Sequence, residues 1–599
     1  MRTIQEQLNE TKWLAGHSVA GDITELAAAG LRVREEWVQG KHVLDSLLLS
    51  RMRDENDLSY ELENLATSRF DIEPWKHETE PYNWVKEKNE KGKVTKKRSV
   101  DARRWPSALR SKRCARDAWA ARLLVEADYD PKKAKLVEYT QKTANVLERL
   151  NLSGAVIDMD KFDALDADLS IKLLQARDIL TKSAAQAGVE SFSPTNDGHI
   201  RELLYERLGL PVISKTKGGL PSVDKNTLKQ LGDNAVLQYL IGFNRLDKLY
   251  TVNVSGVRAL IGCPPDLRAG QDERGRGSVC QMQRRLGYLP FRINPLGART
   301  GRRSATRPNS QNWPEAVRGV VTSRFVDGRI LNADYSKLEV VLIAWVAGDD
   351  KLLAAFTGGK GYIDVARELF GKVVESGTPE YTAVKSIVLG VHYNMQTPKM
   401  AKQLALIGIK FSEDWDEHEQ ETDRLRSLYL RRYVGIGRYM EAREAYWLRT
   451  GTSVSYTGRT RHLPVPEREG KGYGHMLNQA INFPIQSLAS DVTASALLDI
   501  EAAFLAEAGL SYSEYLGLLI EQRKFLTSGR GRGIIPVSQI FNEVHDSIVV
   551  DLFPDTAKRD QEIVIESMRA VRSLRDLTPG FNHKILNADW KLESHWRSK

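Results

Sequence analysis

GRILNADYSKLEVVLIAWVAGD, residues 328–349, marks the decisive change of pattern in this chain. It reads as a strand, an acidic turn and an apolar helix, with Asp334 where the strand ends. Two hundred residues on, QIFNEVHDSIVVDLF (539–553) reads as two strands around a tight His-Asp turn that holds Asp546. A sheet can bring such strand-end carboxylates together, and two carboxylates held close repel unless a cation sits between them. Two divalent ions about 4 Å apart can then stabilise the attacking and leaving oxygens of an in-line phosphoryl displacement. Mg²⁺ suits carboxylates and substrate phosphates. Either aspartate taken alone is an ordinary turn residue.

The surroundings bound the reading. With 599 residues the chain exceeds one hydrophobic core, so several domains are expected. A hydrophobic share of 41% beside 28% charged residues reads as globular. Runs such as VVLIAWVAG (340–348) are too short to span a bilayer, and MRTIQEQLNETKWLAGHS at the start has no apolar signal core. Cys114, Cys263 and Cys280 show no paired spacing, which argues against a zinc site or a disulfide framework and fits a reducing cytoplasm. The net charge of +9 is clustered near 86–119 and 284–307. Such clusters suit phosphate-backbone contact, and solvated loops equally.

Residues 86–112 read as an exposed charged loop and 117–189 as mostly amphipathic helix, a pattern that continues over 197–262. DERGRGSV (272–279) reads as a mobile loop, 379–407 as a long helix followed by a turn, and SGRGRGIIPVS (528–538) as an insertion. The class is α+β, a mixed or antiparallel sheet with large helical additions.

Five stretches then occur in order: TGRRSATRPNSQNWP (300–314), DYSKLE (334–339), KSIVLGVHY (385–393), NFPIQ (482–486) and VHDS (544–547). Together they resemble the motifs of family A DNA polymerases, the DNA polymerase I-like group with many phage members. The resemblance runs from about residue 145 to the end. It implies a right-hand fold, divided as thumb over 131–284, palm over 285–350 and 471–599, and fingers over 351–470. It implies primer-template DNA and dNTPs as partners, two Mg²⁺ ions (Mn²⁺ as the alternative), no membrane, and a bacterial host cytoplasm for a phage-encoded enzyme.

Residue by residue, the resemblance assigns the catalytic metal-binding carboxylates to Asp334 and Asp546, with the Tyr335 carbonyl beside them. Glu339 matches the steric gate against a ribose 2′-hydroxyl, the group that separates RNA from DNA. Lys385, Leu389 and Tyr393 share one helix face. There Lys385 would bind the triphosphate, Leu389 would pack near sugar and base, and Tyr393 would stack at the templating position. Arg302, Asn482, Gln486 and His545 match primer-template contacts, some in the minor groove, whose acceptors are nearly independent of base-pair identity. Asn309, Gln311 and Asn312 are weaker template candidates, with turn and capping chemistry as the other reading.

Upstream, GHSVAGD (16–22), KHVLDSLLLSRM (41–52) and RCARDAWAA (113–121) resemble words of the family's 3′–5′ exonuclease, an RNase H-like domain, with Asp22 and Asp117 as its acids. The match over 1–130 is partial. The first acidic motif is lacking, and Arg113 stands where a tyrosine is usual. The expectation is that this chain alone does not proofread: the domain is either a degenerate scaffold or is completed by a separate polypeptide. A processivity factor is a further candidate partner.

The polymerase half departs from the family at several positions. Tyr381 replaces an arginine on the nucleotide helix, Leu389 an aromatic residue, Asp364 a histidine and Asn478 an arginine. Asn394 replaces a glycine, Ser547 a glutamate and Lys337 a glutamine. Lys360, Lys399 and Lys402 are candidates to restore lost positive charge. Single-subunit RNA polymerases share the palm and the lysine helix, but Glu339 argues against them. A non-catalytic accessory subunit is opposed by Asp334, Lys385 and Asp546, and a nuclease by the missing acidic motif.

Overall fold

The computed structural model describes residues 3–596 apart from 58, 89–93, 99–101, 233, 263–284, 469 and 471. The segment 272–279 therefore lies outside the described residues.

A four-stranded antiparallel sheet sits at the centre, in the order Gln539–Val544, Ser547–Leu552, Arg329–Tyr335, Ala588–Glu593. Successive side chains in a strand point to opposite faces, and this sheet uses both. Leu331, Ala333, Tyr335, Ile548, Val550 and Leu552 enter the largest core. Ile330, Val549, Phe541 and Val544 enter a second core with Phe291, Trp313 and Trp596. A slip of one residue would exchange the two sets, so apolar burial on both faces pins the register. That register sets Asp334 opposite Ser547 on one side and Asp589 on the other.

The large core is filled by helices Leu338–Val346 and Tyr473–Ala508, the latter 36 residues long with Pro484 inside it. Proline removes one helical hydrogen bond, and Pro484 lies between Asn482 and Gln486, both on the cleft side of the helix. A third core, built from Leu180, Leu203, Leu204, Leu237, Leu240 and Phe243, holds a separate helical unit.

Three buried arginines join distant parts of the chain. Arg149 pairs with Glu501 and donates to the Val38 carbonyl at 2.7 Å. Arg303 forms a bidentate pair with Glu543. Arg324 pairs with Asp551 at 2.9 Å, with both side chains 1% exposed. A buried charge must be paired and hydrogen-bonded to be tolerated, and each of these is.

Two local readings change. The expected long helix over 379–407 is two helices, Pro379–His392 and Thr397–Leu406. Asn394 between them adopts a left-handed φ of 54°, a conformation asparagine tolerates because its short amide can bond locally. The expected loop over 86–112 contains an antiparallel pair, Trp84–Lys88 with Val94–Arg98, and the helix Ser107–Asp128 begins within it. Valine, threonine and tryptophan favour extended backbone even among charges. The SGRGRG stretch folds back on the preceding helix: Gly531 lies so close that a Cβ would meet the Glu521 carbonyl at 2.4 Å.

Candidate active site

Asp334 ends the Arg329–Tyr335 strand and Asp546 occupies the two-residue turn of the 539–552 hairpin. His545 makes that turn with φ 57°, which histidine adopts more readily than branched residues. The two acidic segments are tied main chain to main chain, since the Tyr335 N–H donates to the Asp546 carbonyl at 3.2 Å. Ser547 Oγ donates to Asp334 Oδ1 at 2.8 Å. Tyr335 buries its ring and donates its hydroxyl to the Met568 carbonyl at 2.7 Å, anchoring the strand end to the helix below.

Burial, the Glu339 carboxylate and Asp334 together push the Asp546 carboxyl up to about 6, against the pull of Arg302. Negative charge is therefore concentrated at this corner, and a divalent cation would relieve it. The donor set, carboxylate oxygens with main-chain carbonyls, suits Mg²⁺ or Mn²⁺.

Glu339 stands in the first turn of the helix Leu338–Val346 that follows Asp334. One of its oxygens pairs with Arg302 and the other accepts from the Tyr393 hydroxyl. Burial, followed by the Glu339 charge, holds the Tyr393 hydroxyl well above its usual range. Glu339, Leu389, Tyr393, Asn482 and Gln486 line one small cavity. Asn482 Nδ2 donates to the Asn478 carbonyl at 2.7 Å and reaches the Tyr393 carbonyl at 3.4 Å. Five residues scattered over 148 positions of sequence thus converge on one pocket beside the two aspartates.

Lys385 lies on the Pro379–His392 helix, whose start is fixed by Thr378 accepting from the Tyr381 N–H at 3.2 Å and by Pro379 in the first turn. Its side chain is exposed. Leu389 and Tyr393 follow it at successive turns and are half-buried. His545 is exposed on the hairpin turn; partial covering and the Arg302 guanidinium hold its ring below the usual histidine value. Gln311 accepts from the Ala305 N–H at 3.2 Å, and Asn312 donates to Asn309 at 3.2 Å, so these three serve the turn itself.

The N-terminal acids have partners of their own. Asp117 accepts from the Trp75 indole at 2.8 Å and from Arg113 Nε at 3.0 Å. Partial burial, Asp45 and Glu25 push the Asp22 carboxyl up to about 6. Asp45, which sequence reasoning did not single out, is buried and accepts from the Ser18, Val19 and Leu47 N–H groups at 2.9 Å. Its signal was present in the order strand, aspartate, helix, the usual place of an N-cap.

Sequence reasoning also missed Arg303 and Glu543, whose pair lies under the strand that leads into His545 and Asp546. Arg303 donates further to the Ser490 carbonyl and hydroxyl, both at 3.0 Å.

A central antiparallel sheet with Asp334 at a strand end and Asp546 in the adjoining hairpin turn, faced by helices, is the architecture of the right-hand polymerases. The model of the family described as DNA polymerase family A matches residues 163–585, and the chain belongs to that family. DNA polymerase I of Pseudomonas aeruginosa is 28% identical over 414 residues, covering 65% of this chain and 40% of that protein. The DNA polymerase of Bacillus phage SP01 is 26% identical over 367 residues, covering 58% of this chain and 34% of that protein. The chain spans about two fifths of the length of the curated relatives it matches. A solved structure of the POL domain of Pol1 from M. smegmatis, in complex with DNA primer-template and dNTP, shares the fold with a TM-score of 0.69 at 19% identity. The match covers 97% of this chain and 85% of that one. Among the described residues no helix is long and apolar enough to cross a membrane.

Proposed function

We propose that this chain is a template-directed DNA polymerase that extends a primer 3′ end with deoxynucleoside triphosphates. The observation that carries the reading is the linked pair Asp334 and Asp546, set beside the Glu339–Tyr393 contact. Asp334, Asp546 and the Tyr335 carbonyl would hold two Mg²⁺ ions, which lower the cost of charge on the attacking and leaving oxygens. The chain's own residues do the rest. Lys385 neutralises the triphosphate as the α-phosphorus exchanges its bond to pyrophosphate for one to the primer oxygen. Glu339, held by Arg302 and Tyr393, occupies the space a 2′-hydroxyl would need. Tyr393 covers the templating position, while Arg302, Asn482, Gln486 and His545 meet the primer-template.

The proposed setting is DNA replication, in a bacteriophage by analogy with the SP01 relative. The proposal includes that this chain alone does not proofread. Asp117 is engaged by Arg113 and Trp75, and an aspartate already paired with a guanidinium is a poor metal ligand.

Primer extension on a defined template with Mg²⁺ tests both parts. Wild-type chain should extend without degrading the 3′ end, and Asp546→Ala should lose at least about a hundredfold in rate, the scale of removing one group that stabilises developing charge. Undiminished extension by Asp546→Ala would refute the assignment, and vigorous 3′–5′ degradation by the wild type would refute the second part.

A further inference from the structure

Tyr381 sits one turn before Lys385 on the same helix face, so a cation in its place would stand beside the Lys385 ammonium. Its ring instead packs edge-on against Tyr362 at 6.0 Å. Tyr362 in turn meets Phe356 at 5.0 Å. The third member of this aromatic run carries a cation of its own: Lys337 Nζ stands 5.6 Å from the Phe356 ring centroid. The run thus starts beside Lys385 and ends at Lys337.

Lys337 belongs to the turn that links the two key acids, three residues after Asp334 and two before Glu339. Its φ of 55° bends the chain there and starts the Leu338–Val346 helix. The side chain is exposed but not free to wander. It packs on Phe356 and passes over Gly361, where a Cβ would come 2.6 Å from Nζ. Gly361 itself has φ 62°, so the close approach and the backbone both call for glycine. Among the described residues Lys337 forms no ion pair.

Two charged groups on neighbouring helices have partners already. Asp364 accepts from the Lys360 N–H at 2.5 Å and lies 3.9 Å from Arg367. Lys402 reaches Gln230 at 3.4 Å, away from the aromatic run. A triphosphate beside Asp334 needs cations placed before it arrives, since phosphoryl transfer is mostly positioning and charge stabilisation. A lysine ammonium serves that purpose as a point charge.

We propose that Lys337 binds the triphosphate tail of the incoming nucleotide, supplying from the turn the charge that Tyr381 does not supply from the helix. This rests on the polymerase reading above. The residue is a binding residue, not a member of the metal site, and its substrate is any nucleoside triphosphate that passes the Glu339 gate.

Steady-state single-nucleotide insertion with Lys337→Gln, Lys337→Arg and Lys337→Gln/Tyr381→Arg tests it. Loss of one charge-assisted phosphate contact should raise KM for dNTP roughly tenfold to a hundredfold in Lys337→Gln, with kcat changed far less. Lys337→Arg should stay within about threefold of wild type, and the added arginine should recover much of the lost affinity. Melting curves establish that each variant is folded; Lys337→Met, which keeps the apolar contact with Phe356, replaces Lys337→Gln if that variant is not. A KM within about twofold of wild type in the uncharged variant, or equal losses in the Arg and Gln variants, would overturn the proposal. Asp546→Ala is run alongside. If it extends normally, the polymerase reading fails; if it is inactive while Lys337→Gln keeps a normal KM, only the role of Lys337 fails.

Discussion

Asn394 Nδ2 donates to Asn478 Oδ1 at 2.9 Å, joining the turn behind Tyr393 to the helix that carries Asn482. The resemblance marks both positions as departures, and the two side chains meet each other in space. Asn394 takes the left-handed backbone that glycine would take, and its amide finds a partner in Asn478. Asn394→Gly keeps the backbone and deletes the bond, and Asn478→Ala deletes the other half. Each should cost about 1 kcal/mol, with the double variant costing clearly less than the sum. Thermal unfolding of the four-member cycle measures the coupling, and strict additivity would show that the contact carries no energy.

Glu339 is held from two sides, by Arg302 and by the Tyr393 hydroxyl. Glu339→Ala should therefore relax sugar discrimination, raising ribonucleotide use relative to deoxynucleotide use by at least about tenfold. Tyr393→Phe frees the carboxylate on one side only and should give a smaller change. Competition between dNTP and NTP on one template provides the ratio.

Ser547 helps orient Asp334 through a 2.8 Å bond. Partners of metal-binding carboxylates typically tune affinity by 10- to 100-fold. Ser547→Ala should shift the Mg²⁺ concentration for half-maximal extension upward by roughly tenfold, while saturating Mg²⁺ restores most of the rate. A Mg²⁺ titration at fixed dNTP checks this.

Burial pushes the His392 imidazole down to about 3, and its Nε2 lies 2.7 Å from the Tyr429 hydroxyl. The folded protein keeps this ring neutral while the unfolded chain takes up a proton below about 6.5. The unfolded state then binds more protons, so stability falls as pH drops from 6.5 toward 3. Between pH 7.5 and pH 5 the loss should be about 2 kcal/mol, from 1.36 kcal/mol per pH unit. His392→Gln should remove that part of the slope, which melting temperatures across the range would detect.

Breaking the Arg303–Glu543 pair leaves a buried charge alone. Arg303→Ala should destabilise by about 3–5 kcal/mol, and replacing both partners with apolar residues should cost less than either single change. Chemical denaturation of the three variants decides the order.

Much of the sheet and its acids was legible in the chain. The strand before Asp334, the hairpin around His545 and Asp546 and the helix from Pro379 all stand where alternation, turn residues and caps put them. The break at Asn394 was passed over, although asparagine favours helix ends and Pro398 stands in the first turn of the next helix. The Trp84–Lys88 pairing was hidden by its lysines, which outweighed the β-forming residues between them.

The sequence by itself singled out the candidate groups, the two carboxylates, the gate glutamate and the lysine helix, since motif words encode local chemistry at fixed spacing. The tertiary structure alone decided how they are coupled. Arg303 finds Glu543 across 240 positions, Glu339 finds Tyr393 across 54, and Lys337 reaches Tyr381 only through Tyr362 and Phe356. Such contacts have no period and no spacing. They exist because burial fixes the register of the sheet and packs the helices onto it, and that packing brings distant side chains into contact.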